Sequence, residues 1–114
     1  MPSKKEKASA DIKRLLDEMD ALTGSAISLA EAEDYKSVKR LTAKIDKIQS
    51  KVLKKMDAYT NMKFDFVFRA FYFLHLMVAR ADIAADSSII DKEDVLNELQ
   101  YLKKAQERVA KSWS

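Results

Sequence analysis

The side chains that most often carry out catalysis or bind metals are scarce in this sequence. His75 is the only histidine among 114 residues and there is no cysteine, so the chain has no thiolate nucleophile and a single imidazole. A ferritin-like dimetal site needs Glu-x-x-His pairs on two helices, but the residue three positions before His75 is Tyr72. Gly24 is the only glycine, which excludes a glycine-rich loop around phosphate. We therefore expect no enzymatic activity, no metal site and no cofactor.

Basic side chains form a regular pattern of the kind that binds anions. They recur at intervals of mostly three and four residues between positions 36 and 55. The members of this set, called the basic row below, are Lys36, Arg40, Lys44, Lys47, Lys51, Lys54 and Lys55. On a helix they would share one side, where they can contact nucleic-acid phosphates without reading bases. The same spacing is also typical of an ordinary solvated helix face.

Four segments carry apolar residues at the three- and four-residue spacing of an amphipathic helix. They predict helices over about residues 9–33, 35–59, 61–85 and 91–113 of a single domain spanning 9–114, with residues 1–8 as a basic flexible tail. Asp34 and Asp91 precede the second and fourth segments and are expected to cap these helices. Because the first apolar stripe keeps its phase across Gly24, we predict one continuous helix there, closely packed at the glycine.

Four helices joined by short turns predict an all-α domain, an up-down-up-down four-helix bundle. One alternative stays open, because the apolar stripe of the second segment can continue through residues 60–63 into the third. A single long central helix over 35–85 would then build an elongated or domain-swapped dimer.

Charge is distributed unevenly in the predicted bundle. Residues 1–14, 47–65 and 101–114 would meet at one pole, and they hold 14 basic and five acidic residues, a net charge of +9. The rest of the chain carries −6. The N-terminal lysines oppose the dipole of the first helix, so dipole compensation does not explain them. The basic pole is a second candidate surface for an anionic partner.

The stretch from 63 to 79, KFDFVFRAFYFLHLMVA, contains all five phenylalanines. A bundle helix needs about three apolar positions in seven toward the core, and this helix has more. We therefore expect a second apolar face at a protein interface. The residues assigned to that interface are Phe66, Arg69, Ala70, Phe73, Met77 and Ala81. Membrane insertion is not expected, because Arg69 and His75 interrupt the apolar run and a spanning helix needs about 20 apolar residues.

Two functional hypotheses follow from these patterns. The first is a non-enzymatic bundle that acts through protein contacts, as a structural subunit, adaptor or small chaperone-like factor. It would self-associate, or dock into a larger assembly, through the third helix. The alternative is a nucleic-acid-associated protein, similar to a coat or chromatin protein, that uses the basic row and the basic pole. The polar N-terminus lacks the apolar run of a signal peptide, so we expect an intracellular, cytoplasmic protein or a virus or phage product made inside a cell.

Overall fold

The computed structural model describes residues 4–57, 65–86 and 89–113, excepting the side chains at 4–6, 8, 56, 57, 65–73, 75, 112 and 113. The described residues form four helices: α1 (Lys4–Glu31), α2 (Tyr35–Asp57), α3 (Asp65–Asp86) and α4 (Lys92–Trp113). Each helix contacts the next along the chain, and α4 contacts α1. The prediction of an all-α four-helix bundle is therefore confirmed.

The alternative of one long helix over 35–85 is wrong. The hydroxyl of Thr42 on α2 donates a hydrogen bond to a carboxylate oxygen of Asp82 on α3 across 3.0 Å. A continuous helix would hold these residues about 60 Å apart, since each residue adds about 1.5 Å. The chain must therefore reverse direction between α2 and α3, although residues 58–64 lie outside the described part.

The helix limits differ from the predicted ones mainly at the N-terminus. Helix α1 begins at Lys4, so residues 4–8 are helical where a flexible tail was predicted. Helical periodicity could not have found this start, because the first apolar residue of the stripe is Ile12 and the preceding turns carry few apolar side chains.

The corner between α1 and α2 is closed by hydrogen bonds from both helix ends. The amide of Asp34 donates to the carbonyl of Leu29 and that of Glu33 to the carbonyl of Ala30, at 2.9 and 3.0 Å. This is the Schellman arrangement, and it requires the left-handed conformation that Glu33 adopts with φ of 60°. Asp34 then caps α2, because its carboxylate accepts from the amide of Ser37 at 3.3 Å and from the Ser37 hydroxyl at 2.7 Å. The predicted cap is confirmed.

The core is a continuous apolar cluster with contributions from all four helices. Its buried members are Ile12, Leu15, Leu16, Met19, Ala26, Ala30, Val38, Ile45, Ile48, Val52, Leu74, Met77, Val78, Ala81, Ala85, Val95, Leu99, Leu102, Ala105 and Val109. Most of them recur at intervals of three and four residues along their helices, as the apolar stripes predict. Asp91 caps α4 as predicted, with its carboxylate accepting from the amide of Glu93 at 2.9 Å.

Gly24 lies inside α1, which is continuous across it, as predicted. The described residues do not form the close packing expected there. Among the described residues, a Cβ atom placed on Gly24 would meet only the terminal nitrogen of Lys103, at 3.9 Å. Since that nitrogen ends a flexible side chain, the position has room for a larger residue.

A few polar side chains are buried among the apolar ones. The amide nitrogen of Gln106 on α4 donates to the hydroxyl of Thr23 on α1 at 2.7 Å, and that hydroxyl donates to the carbonyl of Met19 at 2.8 Å. Gln49 on α2 is also buried, but neither its amide nitrogen nor its amide oxygen has a hydrogen-bond partner among the described residues. A buried amide without a partner lowers stability, because it has given up its bonds to water.

Candidate functional site

Helix α2 directs its apolar and basic residues to opposite sides. Val38, Ile45 and Val52 face the core and are fully buried. The basic residues fall roughly half a turn away from this stripe, at the spacing that keeps them on the outer side. Helix α2 contains eight basic and two acidic residues, a charge of +6 in 23 residues, whereas the whole chain carries +3.

The structure places six of the seven predicted row residues on the solvent face of α2. Lys36, Arg40, Lys44, Lys47, Lys51 and Lys54 are exposed, and no carboxylate of the described residues forms an ion pair with any of them. From Lys36 to Lys54 the row extends about 27 Å along the helix axis. The six cations therefore lie along one side of a single helix.

Lys55, the seventh residue of the row, has a different environment. It is partly buried, and its ammonium group lies 3.2 Å from a carboxylate oxygen of Asp11 on α1. Arg14 also approaches Asp11, at 3.8 Å. Lys55 therefore joins two helices of the bundle, and an external anion would have to compete with Asp11 for it. The sequence pattern includes Lys55 in the row because it lies only four residues after Lys51, but it could not show that Asp11 is close to it.

The predicted basic pole is only partly described. Lys7 and Lys13 are exposed, as is most of the Arg14 side chain. The side chains of Lys4 and Lys5, and all of Lys63, lie outside the described residues. The pole as a binding surface stays a prediction.

In the described part of the chain, two open grooves border the N-terminal half of α2. The first, called the corner groove, has a volume of about 550 Å³ and lies between α2, the end of α3 and the segment that leads into α4. Its lining residues are Tyr35, Lys36, Lys39, Arg40, Ala43, Ala85, Asp86 and Ile90. The second groove, about 470 Å³, lies on the α1 side of α2. Arg40 and Ala43 border both grooves.

The corner groove combines an apolar floor with a charged rim. Tyr35 packs against the core beside the small Ala43 and Ala85. Lys39 of α2 forms an ion pair across the groove with Asp86 of α3, so the negative charge of Asp86 is neutralised. Lys36 and Arg40 supply the remaining positive charge. Sequence patterns did not predict this groove, because its residues come from three separate segments of the chain. The one signal that the sequence offered was an aromatic residue, Tyr35, directly after the cap Asp34.

Two ionisable groups near this corner have shifted pKa values. The hydrogen bonds from Ser37 lower the pKa of Asp34 below its usual 3.8. Burial raises the pKa of Tyr35 above its usual 10.0, with smaller effects from Glu33 and Asp91. Asp34 therefore remains charged as a cap at neutral pH, and the Tyr35 hydroxyl remains protonated.

The prediction of a second, exposed apolar face on α3 is wrong for the two interface residues whose side chains the structure describes. Met77 and Ala81 are 6% and 1% exposed and belong to the core together with Leu74, Val78 and Ala85. The reason is geometric: α3 lies between α2 and α4, so the bundle buries a wide arc that includes both residues. The side chains of Phe66, Arg69, Ala70 and Phe73, also assigned to the interface, lie outside the described residues.

Other residues of the second half of the chain are apolar and exposed. Leu76 and Ile83, seven residues apart on the outer side of α3, are 43% and 69% exposed, and Tyr101 on α4 is 52% exposed. The guanidinium of Arg80 bonds to the carboxylate of Glu98 at 2.8 Å and ties α3 to α4. This surface differs from the predicted interface, although Leu76 and Ile83 belong to the same helix.

The described residues offer no group of three or more acidic or histidine side chains that could hold a metal ion. The side chain of His75 is outside the described part. None of the described helices combines the length and apolar character needed to cross a membrane.

The basic row and the adjoining corner groove are thus the candidate site that the geometry brings together. Its exposed cations are of the kind that contacts anions, and its groove has the volume of a site for a small apolar group. No protein-family model matches the chain, and neither a curated protein nor a solved structure shows significant similarity to it.

Proposed function

We propose that this chain is a non-enzymatic nucleic-acid-binding protein whose four-helix bundle holds the basic row of α2 against a phosphate backbone. The observation that carries the proposal is the set of six exposed cations on one helix, from Lys36 to Lys54, without an ion-pair partner among the described residues. Such cations gain free energy at phosphates by releasing condensed counterions.

The row suits backbone contact without sequence recognition. Five of its six exposed members are lysines, which bind phosphate as point charges, whereas base reading relies on the planar groups of arginine, asparagine and glutamine. A protein of this type coats or compacts nucleic acid. This role implies an intracellular or viral setting.

Affinity for fluorescent DNA and RNA, measured by anisotropy at several salt concentrations, tests the proposal. We expect binding that weakens steeply between about 50 and 200 mM salt, with a slope of log K against log salt no steeper than about −5 for six contacts on a duplex. Lys47→Glu with Lys51→Glu should lower affinity at least tenfold and reduce the slope by about 2.

A matched control separates the row from net charge. Asn97→Glu with Gln100→Glu adds two negative charges at exposed positions of α4, outside the row and the pole, and so matches the change in net charge of Lys47→Gln with Lys51→Gln, which should also weaken binding. The α4 variant should bind nearly as well as the parent protein. Equal losses in both variants, or no binding of DNA and RNA at the lowest salt, would refute the proposal.

A second candidate role, self-association through the second half of the chain, is favoured by the exposure of Leu76, Ile83 and Tyr101. Apolar side chains gathered on one side of a bundle are typical of protein interfaces. Light scattering after size exclusion should then show a dimer or larger species, and Leu76→Ser with Ile83→Ser should convert it to a monomer. A parent protein that is monomeric at high concentration would contradict this role.

A further inference from the structure

The corner groove lies at one end of the basic row and shares residues with it. Lys36 and Arg40 form both the rim of the groove and the first two positions of the row. A strand that follows the row toward the α1–α2 corner would therefore reach the groove beside Lys36 and Arg40.

The groove has the composition of a site for one flat, apolar group attached to an anion. Tyr35 supplies an aromatic ring, and Ala43 and Ala85 are small enough to leave space between α2 and α3. Ile90, from the segment before α4, adds apolar surface on the other side. The volume of about 550 Å³ lies within the range of about 300–1,000 Å³ typical of ligand pockets.

We infer that the corner groove accepts an unpaired base of a single-stranded nucleic acid, stacked on Tyr35, while Lys36 and Arg40 bind the adjoining phosphates. This inference rests on the proposed function and specifies its ligand. Aromatic rings next to a positive track are the common means of holding single strands, because every base offers a face for stacking. A duplex keeps its bases paired and stacked, and so cannot place one in the groove.

The groove lining offers two cations to the phosphates of this occupant. Asp86, the acidic residue of the lining, is paired with Lys39, so Lys36 and Arg40 are the lining cations that can attract phosphate. They do so in competition with nearby carboxylates, since Asp34 interacts with Lys36 and Arg40, and Glu33 and Asp91 lie near Tyr35. An acyl or aromatic carboxylate would also satisfy the apolar floor and the rim, but it would make no use of the cations from Lys44 to Lys54.

The test compares a fluorescent single-stranded oligonucleotide with a duplex of equal length at low salt. The parent protein should bind the single strand more tightly. Tyr35→Leu keeps apolar volume against the core but removes the ring, and should weaken single-strand binding about 5- to 100-fold with little change for the duplex. Tyr35→Phe keeps the ring and should bind like the parent protein.

Two further variants make the result specific. Tyr101→Leu removes an exposed tyrosine from α4, remote from the basic row, and should leave single-strand binding unchanged. Ala43→Leu should narrow the groove and weaken single-strand binding while adding no charge. Circular dichroism melting of each variant shows that the bundle is intact.

The outcomes distinguish this inference from the proposed function. If Tyr35→Leu weakens neither ligand, or both equally, the groove does not hold a base, while a loss on reversing Lys47 and Lys51 would still support phosphate binding by the row. Equal affinity of the parent for single strand and duplex would overturn the inference as well. If no nucleic acid binds at all, both fail together.

Discussion

The two helical hairpins of the bundle have similar interiors and different outer surfaces. The first hairpin, α1 and α2, carries the basic row, and none of its described large apolar side chains is exposed. The second hairpin, α3 and α4, contains all the exposed large apolar residues that the structure describes: Leu76, Ile83, Ile89, Ile90 and Tyr101. Packing constrains only the inward side of each helix, so the outward sides can specialise independently.

The hairpins are joined by polar contacts as well as by the core. Thr42 and Lys39 of α2 bond to Asp82 and Asp86 of α3, and Gln106 of α4 bonds to Thr23 of α1. If these contacts and the shared core make one cooperative unit, damage to either hairpin should destabilise both.

The largest effect is expected from removing one core side chain from each hairpin. Ile45 of α2 and Leu99 of α4 are both fully buried. Ile45→Ala and Leu99→Ala should each lower the free energy of unfolding by about 2–5 kcal/mol, because each leaves a cavity. Thermal and denaturant unfolding followed by circular dichroism should show one transition in each variant. Two separate transitions would mean that the hairpins unfold independently.

A smaller effect is expected at the buried glutamines, one in each hairpin. Gln49→Leu removes an amide that has no partner among the described residues and should stabilise the protein by about 1–2 kcal/mol. Gln106→Leu should change stability by less, about 0.5 kcal/mol or under, because it relieves the unpartnered amide oxygen but loses the bond to Thr23. Destabilisation by Gln49→Leu in denaturant unfolding would show that this amide has a partner after all.

In the first hairpin, Gly24→Ala should stabilise by about 1 kcal/mol. Alanine restricts the unfolded chain and is the better helix former, and its methyl group has space at this position. The melting temperature measures the gain, and Ser25→Ala at the exposed neighbouring position is a suitable control. A lower melting temperature for Gly24→Ala would indicate a close contact that the structure does not show.

The smallest effect concerns pH at the corner of the first hairpin. Since folding lowers the pKa of Asp34, the charged cap contributes stability that is present above its usual pKa of 3.8 and is lost as pH falls through the folded value. Asp34→Asn keeps a capping side chain that does not titrate. The difference in melting temperature between parent and variant should therefore stay constant near neutral pH and shift against the parent below pH 3.8. A difference independent of pH would exclude this role of the carboxylate.

Sequence patterns were sufficient for much of the fold. Apolar spacing predicted the four helices and core residues such as Ile45 and Leu99, and residue type predicted the caps Asp34 and Asp91. These features depend on local geometry, since a helix fixes the direction of each side chain relative to its own axis. The start of α1 at Lys4 was not predicted, because polar helical turns carry no apolar period.

The candidate site was predicted less completely. Six members of the basic row lie on the face where spacing placed them, whereas Lys55 pairs with Asp11, which is 44 positions away in sequence. No local pattern contains such a contact.

By itself, the sequence determined which chemistry is available and which side of each helix is apolar, because both depend on residue type and on the fixed periodicity of the helix. Only the tertiary structure decided how wide an arc of each helix is buried, since that depends on the number and position of its neighbours. For this reason Met77 and Ala81 belong to the core rather than to an interface. The same dependence created the corner groove, where Tyr35, Ala85 and Ile90 meet from three separate segments.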